Sequence, residues 1–100
     1  MGGPIQPQAH LQTLVRLIDF HQQPQTVLDA PRWKVNAGLS LDLEPSMSPA
    51  VRDGLAVRGH RFASIADSYM DFGAGQFIVC TEDGYVAGSD PRRDGQAAGF

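Results

Sequence analysis

The sequence predicts a single α+β domain over residues 1–100, and three patterns support this prediction. Apolar residues near the start recur at helical spacing, those in the middle alternate with polar residues as in a strand, and an apolar run near the end precedes a hairpin turn signal. The expected order is helix, helix, strand, strand, helix and then three strands. This order favours a mostly antiparallel sheet with helices on one face, so the other face would need a partner or stay exposed.

The first helix is predicted over residues 5–21. Its apolar side chains fall at positions i, i+3, i+4 and i+7, which lie on one helical face. These side chains are Leu11, Leu14, Val15 and Ile18. Pro7 is tolerated only in the first turn of a helix, so the helix should begin near Gln6. A second, short helix is predicted over residues 24–30, because Pro31 pushes the residue before it out of the helical region.

Two strands are expected next, over residues 33–36 and 39–43. The second alternates apolar and polar residues, which is typical of a strand with one buried face. Its apolar members are Leu39, Leu41 and Leu43. Ser48 and Pro49 favour a helix start, as a hydroxyl cap followed by proline at the first helical position. Gly59 is suited to end that helix in a left-handed conformation.

In the last third of the chain, the sequence predicts a strand at residues 61–66 and a loop at 68–75. The strand signal at residues 76–80 is the strongest in the chain. A turn at residues 83–84 and a returning strand at 85–87 would complete a hairpin. The chain has one cysteine, so no intrachain disulfide is possible. We expect this residue, Cys80, to be a buried small hydrophobe, because it ends an apolar run and free cysteine is often buried; a reactive thiol is the alternative.

The bulk composition is that of an ordinary globular domain, with 42% hydrophobic and 19% charged residues. A formal net charge of −3 disfavours nonspecific nucleic-acid binding and polybasic contact with a membrane. The sequence contains no apolar stretch of about 20 residues and no basic segment followed by an apolar one. Neither a membrane span nor a signal peptide is therefore expected in this chain. If the chain is part of a longer protein, the cellular compartment of that protein stays open.

Gly2 and Gly3 lie directly before the first predicted helix, where backbone amides can hold an oxyanion or a carboxylate. Glycine suits such a cradle because a side chain would block the close approach of a substrate. From the pattern alone, a flexible leader is the simpler interpretation of a glycine pair near a chain start.

Other polar residues do not indicate catalysis. The histidines have no carboxylate or thiol at a recognisable ligand spacing, so no metal site is expected. These histidines are His10, His21 and His60. The charged residues near the end of the chain are expected to form structural or solvated ion pairs. These residues are Asp90, Arg92, Arg93 and Asp94.

A series of short motifs runs in order through the chain. It comprises Met1-Gly2-Gly3, Gln6-Pro7-Gln8 with His10, Asp19-Phe20, Leu28-Asp29-Ala30-Pro31-Arg32, Leu43-Glu44, Gly59-His60, Phe72-Gly73-Ala74-Gly75-Gln76, residues 87–95 with Ser89-Asp90-Pro91-Arg92, and Ala98-Gly99-Phe100. Together these motifs resemble the C-terminal part of the small subunit of the gamma-glutamyltransferase (gamma-glutamyltranspeptidase) family. The Gln-Pro-Gln element is more similar to the acylase-like bacterial branch than to the best-known glutathione-cleaving enzymes.

The resemblance implies an N-terminal-nucleophile (Ntn) hydrolase with a four-layer αββα sandwich, of which this chain supplies a part. In that family the precursor cuts itself, and the freed N-terminal threonine attacks a gamma-glutamyl amide. The acyl group then passes to water, an amino acid or a peptide. The resemblance further implies that the amides of Gly2 and Gly3 form the oxyanion hole, and that neither a metal nor a cofactor is needed.

In the family, the threonine, the residues that bind the glutamyl group and the large subunit all lie upstream of the matched region. We therefore expect a C-terminal fragment that supplies fold and oxyanion-hole glycines, works with the rest of the parent enzyme, and is inactive alone because covalent catalysis needs its nucleophile. The alternative is a non-catalytic α+β module that self-associates, as a homodimer, through a bare sheet face or unpaired strand edges. The acyl donor and acceptor stay open.

Overall fold

The computed structural model of this chain describes residues 2–63, 65 and 68–100. Its elements follow the predicted α+β order, with one additional short helix before the last hairpin. They are a 3₁₀ turn (Gly3–Ile5), α1 (Gln6–Leu14) with a π-helical continuation (Val15–Asp19), α2 (Pro24–Asp29), β1 (Trp33–Ala37), β2 (Ser40–Leu43), α3 (Pro49–Val57), β3 (Arg61–Phe62), α4 (Ser68–Asp71), β4 (Gln76–Thr81) and β5 (Gly84–Ser89).

The strands form two small sheets. The first has the order β1-β2-β3, with β1 and β2 antiparallel and the two-residue β3 parallel to β2. The second is the antiparallel hairpin of β4 and β5, in which Thr81 pairs with Gly84 and Gln76 with Ser89. The fold class is therefore confirmed as α+β with mainly antiparallel strands. The predicted strand at residues 61–66 is present at Arg61–Phe62, and Ser64, Ala66 and Asp67 lie outside the described residues.

Helix α2 covers one face of the β4–β5 hairpin. The side chain of Leu28 is fully buried and lies so close to Gly75 and Gly88 that a Cβ atom on either glycine would come within 3.0 Å of it. Cross-strand register places Gly88 opposite Phe77 on this covered face. The apolar core near it contains Ile5, Val27, Leu28, Leu41, Leu43 and Phe72.

The opposite face of the hairpin is bare. Ile78 is 72% exposed and Tyr85 is 77% exposed, and Cys80 pairs directly with Tyr85 across the strands. Cys80 is accordingly exposed, so the expectation of a buried cysteine was wrong. Its apolar sequence neighbours indicated a strand, but alternation along the strand turned Cys80 towards the uncovered side.

Three other local expectations also need correction. Residues 68–71 form α4 rather than a loop. Leu39 is half exposed and lies before the first residue of β2. Within β2, Asp42 is buried as well as Leu41 and Leu43, so the strand does not have the single buried face that was predicted. Ser48 precedes Pro49 at the start of α3 as predicted, but its side chain makes no capping hydrogen bond.

The apolar stripe of the first helix is largely uncovered in this chain. The exposed side chains along it are Leu11, Leu14, Ile18 and, just after the helix, Phe20. The radius of gyration is 14.7 Å, above the value of about 13 Å expected for a self-contained domain of this length. Within the described residues, none of the helices has the length and apolar character that a membrane span requires.

Candidate functional site

The glycine pair lies directly at the start of the first helix. Gly3 opens the 3₁₀ turn that leads into α1 at Gln6, and the amide of Ile5 donates to the carbonyl of Gly2 over 3.3 Å. The φ angles of Gly2 and Gly3 are +156° and +54°, values that residues with a side chain rarely adopt. The helix start near Gln6, deduced from Pro7, is therefore confirmed.

The two glycines differ in their surroundings. A Cβ atom on Gly2 would lie 2.8 Å from Cγ2 of Ile5 and 3.4 Å from Cα of Gly73, whereas a Cβ on Gly3 would meet no atom within 4 Å. Gly2 is thus packed against the protein, and Gly3 faces open space. The first amides of a helix have no intrahelical acceptor, and the helix dipole favours negative charge there.

Gly73, the neighbour of Gly2, is held by a buried arginine. One Nη atom of Arg32 donates to the carbonyl oxygens of Phe72 and Gly73, over 3.0 and 3.1 Å. Its other Nη atom donates to Oδ2 of Asp90 over 2.6 Å. Arg32 therefore fixes the loop against which Gly2 packs.

Asp90 is the centre of this arrangement, and its side chain is fully buried. Besides the bond from Arg32, its carboxylate accepts hydrogen bonds from the amide of Gly75 at 2.8 Å and the amide of Arg92 at 2.9 Å. Burial alone would raise the pKa of Asp90. The hydrogen bonds from Arg92, Gly75 and Arg32 together outweigh that effect, so the pKa lies below the usual 3.8 and the carboxylate stays ionised at neutral pH.

Arg92 extends the network to a second acid. Its Nε atom donates to Oε1 of Glu44 over 2.6 Å, and a guanidinium nitrogen pairs with Oε2 of the same residue. Burial alone would lower the pKa of Arg92, but Glu44 and Asp90 raise it above its ordinary value. Arg92 also donates to the carbonyls of Leu28 and Ala30, over 2.8 and 3.0 Å, and so satisfies acceptors at the end of α2.

We call Arg32, Glu44, Asp90 and Arg92 the charge cluster. It joins the end of α2, the approach to β1, the end of β2, the loop after α4 and the end of β5. Ion pairs at Asp90 and Arg92 were expected to be structural or solvated, and the structure shows the structural alternative, in buried form. Asp94 is exposed, and the side chain of Arg93 donates to the carbonyl of Arg92 over 2.9 Å.

Sequence reasoning did not identify Arg32 and Glu44 as members of this cluster. Both residues are charged and lie directly beside a strand: Arg32 precedes β1, and Glu44 follows Leu43 at the end of β2. A charged residue in this position is the sequence signal that could have identified them. Among the described residues, no group of three histidines, cysteines or acids is placed to hold a metal ion.

Comparison with known proteins assigns the class of the fold and then the family. The structural relatives are Ntn hydrolases of the gamma-glutamyltranspeptidase and acylase type, so this chain has part of that fold. The family model for gamma-glutamyltranspeptidase matches residues 1–100. The chain therefore belongs to the gamma-glutamyltranspeptidase family, as its ordered motifs indicated.

Three relatives show the extent of the similarity. Cephalosporin acylase from Bacillus halodurans is 40% identical, with a TM-score of 0.90 over all of this chain and 19% of its own. The glutathione hydrolase-like YwrD proenzyme of Bacillus subtilis (strain 168) is 29% identical over 99% of this chain and 20% of its own length. The Bacillus anthracis transpeptidase CapD shares the fold with a TM-score of 0.82 and 22% identity, over 100% of this chain and 60% of its own. This chain thus spans about a fifth of the length of the first two.

Proposed function

We propose that residues 1–100 form one domain, the C-terminal part of the small subunit of a gamma-glutamyltransferase-like or acylase-like enzyme. In the parent enzyme, an N-terminal threonine would attack a gamma-glutamyl amide, such as that of glutathione, and the acyl group would pass to water, an amino acid or a peptide. This chain would supply part of the fold and the oxyanion-hole amides of Gly2 and Gly3. The reaction proposed needs neither a cofactor nor a metal.

The proposal depends on the difference in surroundings between the two glycines at the helix start. Gly2 packs against Gly73, which Arg32 of the charge cluster holds in place, while Gly3 faces open space. A fixed backbone with an open side is what an oxyanion hole requires, because its donors must be rigid before negative charge develops on the substrate.

The uncovered apolar surface favours the proposal that this chain packs against a larger partner. The stripe on the first helix and the bare hairpin face together expose Leu11, Leu14, Ile18, Phe20, Ile78 and Tyr85. Large exposed apolar areas commonly mark interfaces. We propose that the remainder of the parent enzyme, its large subunit and the earlier part of the small subunit, covers these surfaces.

Activity distinguishes the isolated chain from the proposed parent enzyme. The 100-residue chain should not release product from a gamma-glutamyl anilide above a no-protein control, because the proposed nucleophile lies outside it. A chimaera in which this chain replaces the matching fifth of the Bacillus halodurans acylase should regain turnover of that enzyme's own substrate. Turnover by the chain alone would contradict the proposal, and so would a folded chimaera that cuts itself correctly but has no activity.

Alanine substitutions at two glycines of the same chimaera distinguish an effect on catalysis from an effect on folding. Gly3 and Gly38 have nearly the same φ, +54° and +53°, and a Cβ on either would meet open space. Substitution by alanine should therefore cost each a similar backbone strain of about 1 kcal/mol. Gly3→Ala should lower kcat by about tenfold or more, by shifting a donor that typically contributes roughly 3 kcal/mol, and Gly38→Ala should not. Equal activity of the two variants would remove Gly3 from the proposed site.

The alternative function is a non-catalytic module that forms a homodimer, and the same bare apolar surfaces favour it. If it is correct, light scattering should give twice the chain mass of 10.8 kDa at micromolar concentration. Replacing Ile78 and Tyr85 by serine should return the mass to that of a monomer. A monomer before substitution would exclude this alternative.

A further inference from the structure

Two glutamine side chains of α1 form hydrogen bonds to the backbone of strand β1. The Gln8 amide donates to the carbonyl of Val35 over 3.0 Å and accepts from the amide of Val35 over 2.7 Å. Gln12 makes the same pair of bonds to Trp33, over 2.9 and 3.1 Å. Each primary amide thus makes the two bonds that a residue of a neighbouring strand would make.

The spacing of the two elements explains why this arrangement fits. Gln8 and Gln12 are four residues apart on one helical face, which corresponds to about 6 Å along the axis. Trp33 and Val35 are two residues apart in a strand, which corresponds to about 6.7 Å. Because α1 runs antiparallel to β1, two helical side chains match two successive outward-facing positions of the strand.

A third glutamine does the same at the other sheet. Gln25 of α2 donates to the carbonyl of Ser89 over 2.9 Å and accepts from the amide of Ser89 over 3.0 Å. Both β1 and β5 are outer strands of their sheets. Outer strands carry unpaired backbone groups that can recruit a strand from another molecule.

We infer that the side-chain amides of Gln8 and Gln12, which we call the glutamine ladder, take the place of a neighbouring strand at β1. The glutamine ladder thereby blocks the addition of a strand from a second copy of this chain. Gln25 gives β5 the same protection at its last residue. The Gln-Pro-Gln element after the glycines thereby gains a role that does not depend on the proposed chemistry.

Amide hydrogen exchange followed by NMR tests the ladder in the 100-residue chain. Gln8→Ala/Gln12→Ala should speed exchange of the Trp33 and Val35 amides by about tenfold or more, because these amides lose their acceptors to water. The amide of Ser89 should be unaffected. Gln25→Ala is the matched control and should show the reverse pattern. Unchanged exchange at Trp33 and Val35 in the double variant would overturn the ladder.

A single variant guards against a general loss of structure. Gln12→Ala removes the acceptor of the Trp33 amide and leaves Gln8 on Val35, so the Trp33 amide should exchange faster while the Val35 amide keeps its slow exchange. If every amide of the double variant exchanges faster, Gln12→Ala decides, and slow exchange at Trp33 in that variant would contradict the inference.

Sedimentation tests the blocking role separately. The double variant should associate at a concentration at least about tenfold lower than a Gln96→Ala control, whose side chain lies in the exposed tail. Faster exchange at β1 without increased association would show that the ladder only pairs the edge and does not block it, and would overturn that part of the inference.

Discussion

Asp90→Asn should destabilise this chain by about 3–5 kcal/mol. The substitution keeps the size of the side chain but removes the charge that Arg32 and Arg92 share in a site closed to solvent. Arg92 would keep Glu44, but the buried Arg32 would lose its counter-charge, and a buried cation without a counter-charge is far more costly than a missing surface pair. Because a domain of this size has only about 5–15 kcal/mol in total, urea unfolding should show a greatly reduced midpoint or no cooperative transition.

Asp94→Asn is the matched control. This residue lies four positions further along and is exposed, so its substitution should change the free energy of unfolding by less than about 0.5 kcal/mol. If Asp90→Asn and Asp94→Asn gave the same midpoint, the charge cluster would not be the support that its geometry indicates.

Arg92→Lys should cost about 2–4 kcal/mol even though it preserves the charge. The arginine donates at once to Glu44, Asp90 and two backbone carbonyls at the end of α2. A single lysine ammonium cannot reach acceptors arranged around a planar fork, so buried carbonyls would lose their partners. Chemical denaturation of the variant would measure the loss.

The comparison for this second variant is Arg58→Lys. Arg58 also donates to a helical carbonyl, that of Gly54 at 2.7 Å, but on the exposed surface. Its substitution should cost less than about 0.5 kcal/mol. A loss of similar size in the two variants would mean that the loss at Arg92 reflects lysine's general properties rather than the buried fork.

Local signals in the sequence predicted the elements of this fold well. Pro7 and Pro24 determined where the first two helices begin, and the turn before Gly84 marked the last hairpin. Proline and glycine restrict the backbone by themselves, so their effects do not depend on distant parts of the chain. The position of Gly2 and Gly3 before a helix followed from the same reasoning.

The charge cluster could not be predicted in this way, because its members meet only in three dimensions. Arg32 and Asp90 are separated by 58 positions, and Glu44 and Arg92 by 48. The error at Cys80 has a related cause. Alternation shows that a strand has two faces, but the face that becomes covered depends on where α2 packs, and no local pattern states that.

The span of the charge cluster also has a consequence for biosynthesis. Asp90 lies 88 positions after Gly2, yet it binds the Gly75 amide and the Arg32 side chain that hold in place the loop on which Gly2 rests. A ribosome must therefore have made nearly all of these 100 residues before the turn at the beginning of the segment can settle. Termination before Asp90 is translated would leave the opening turn without its anchor, although every residue of that turn had been translated correctly.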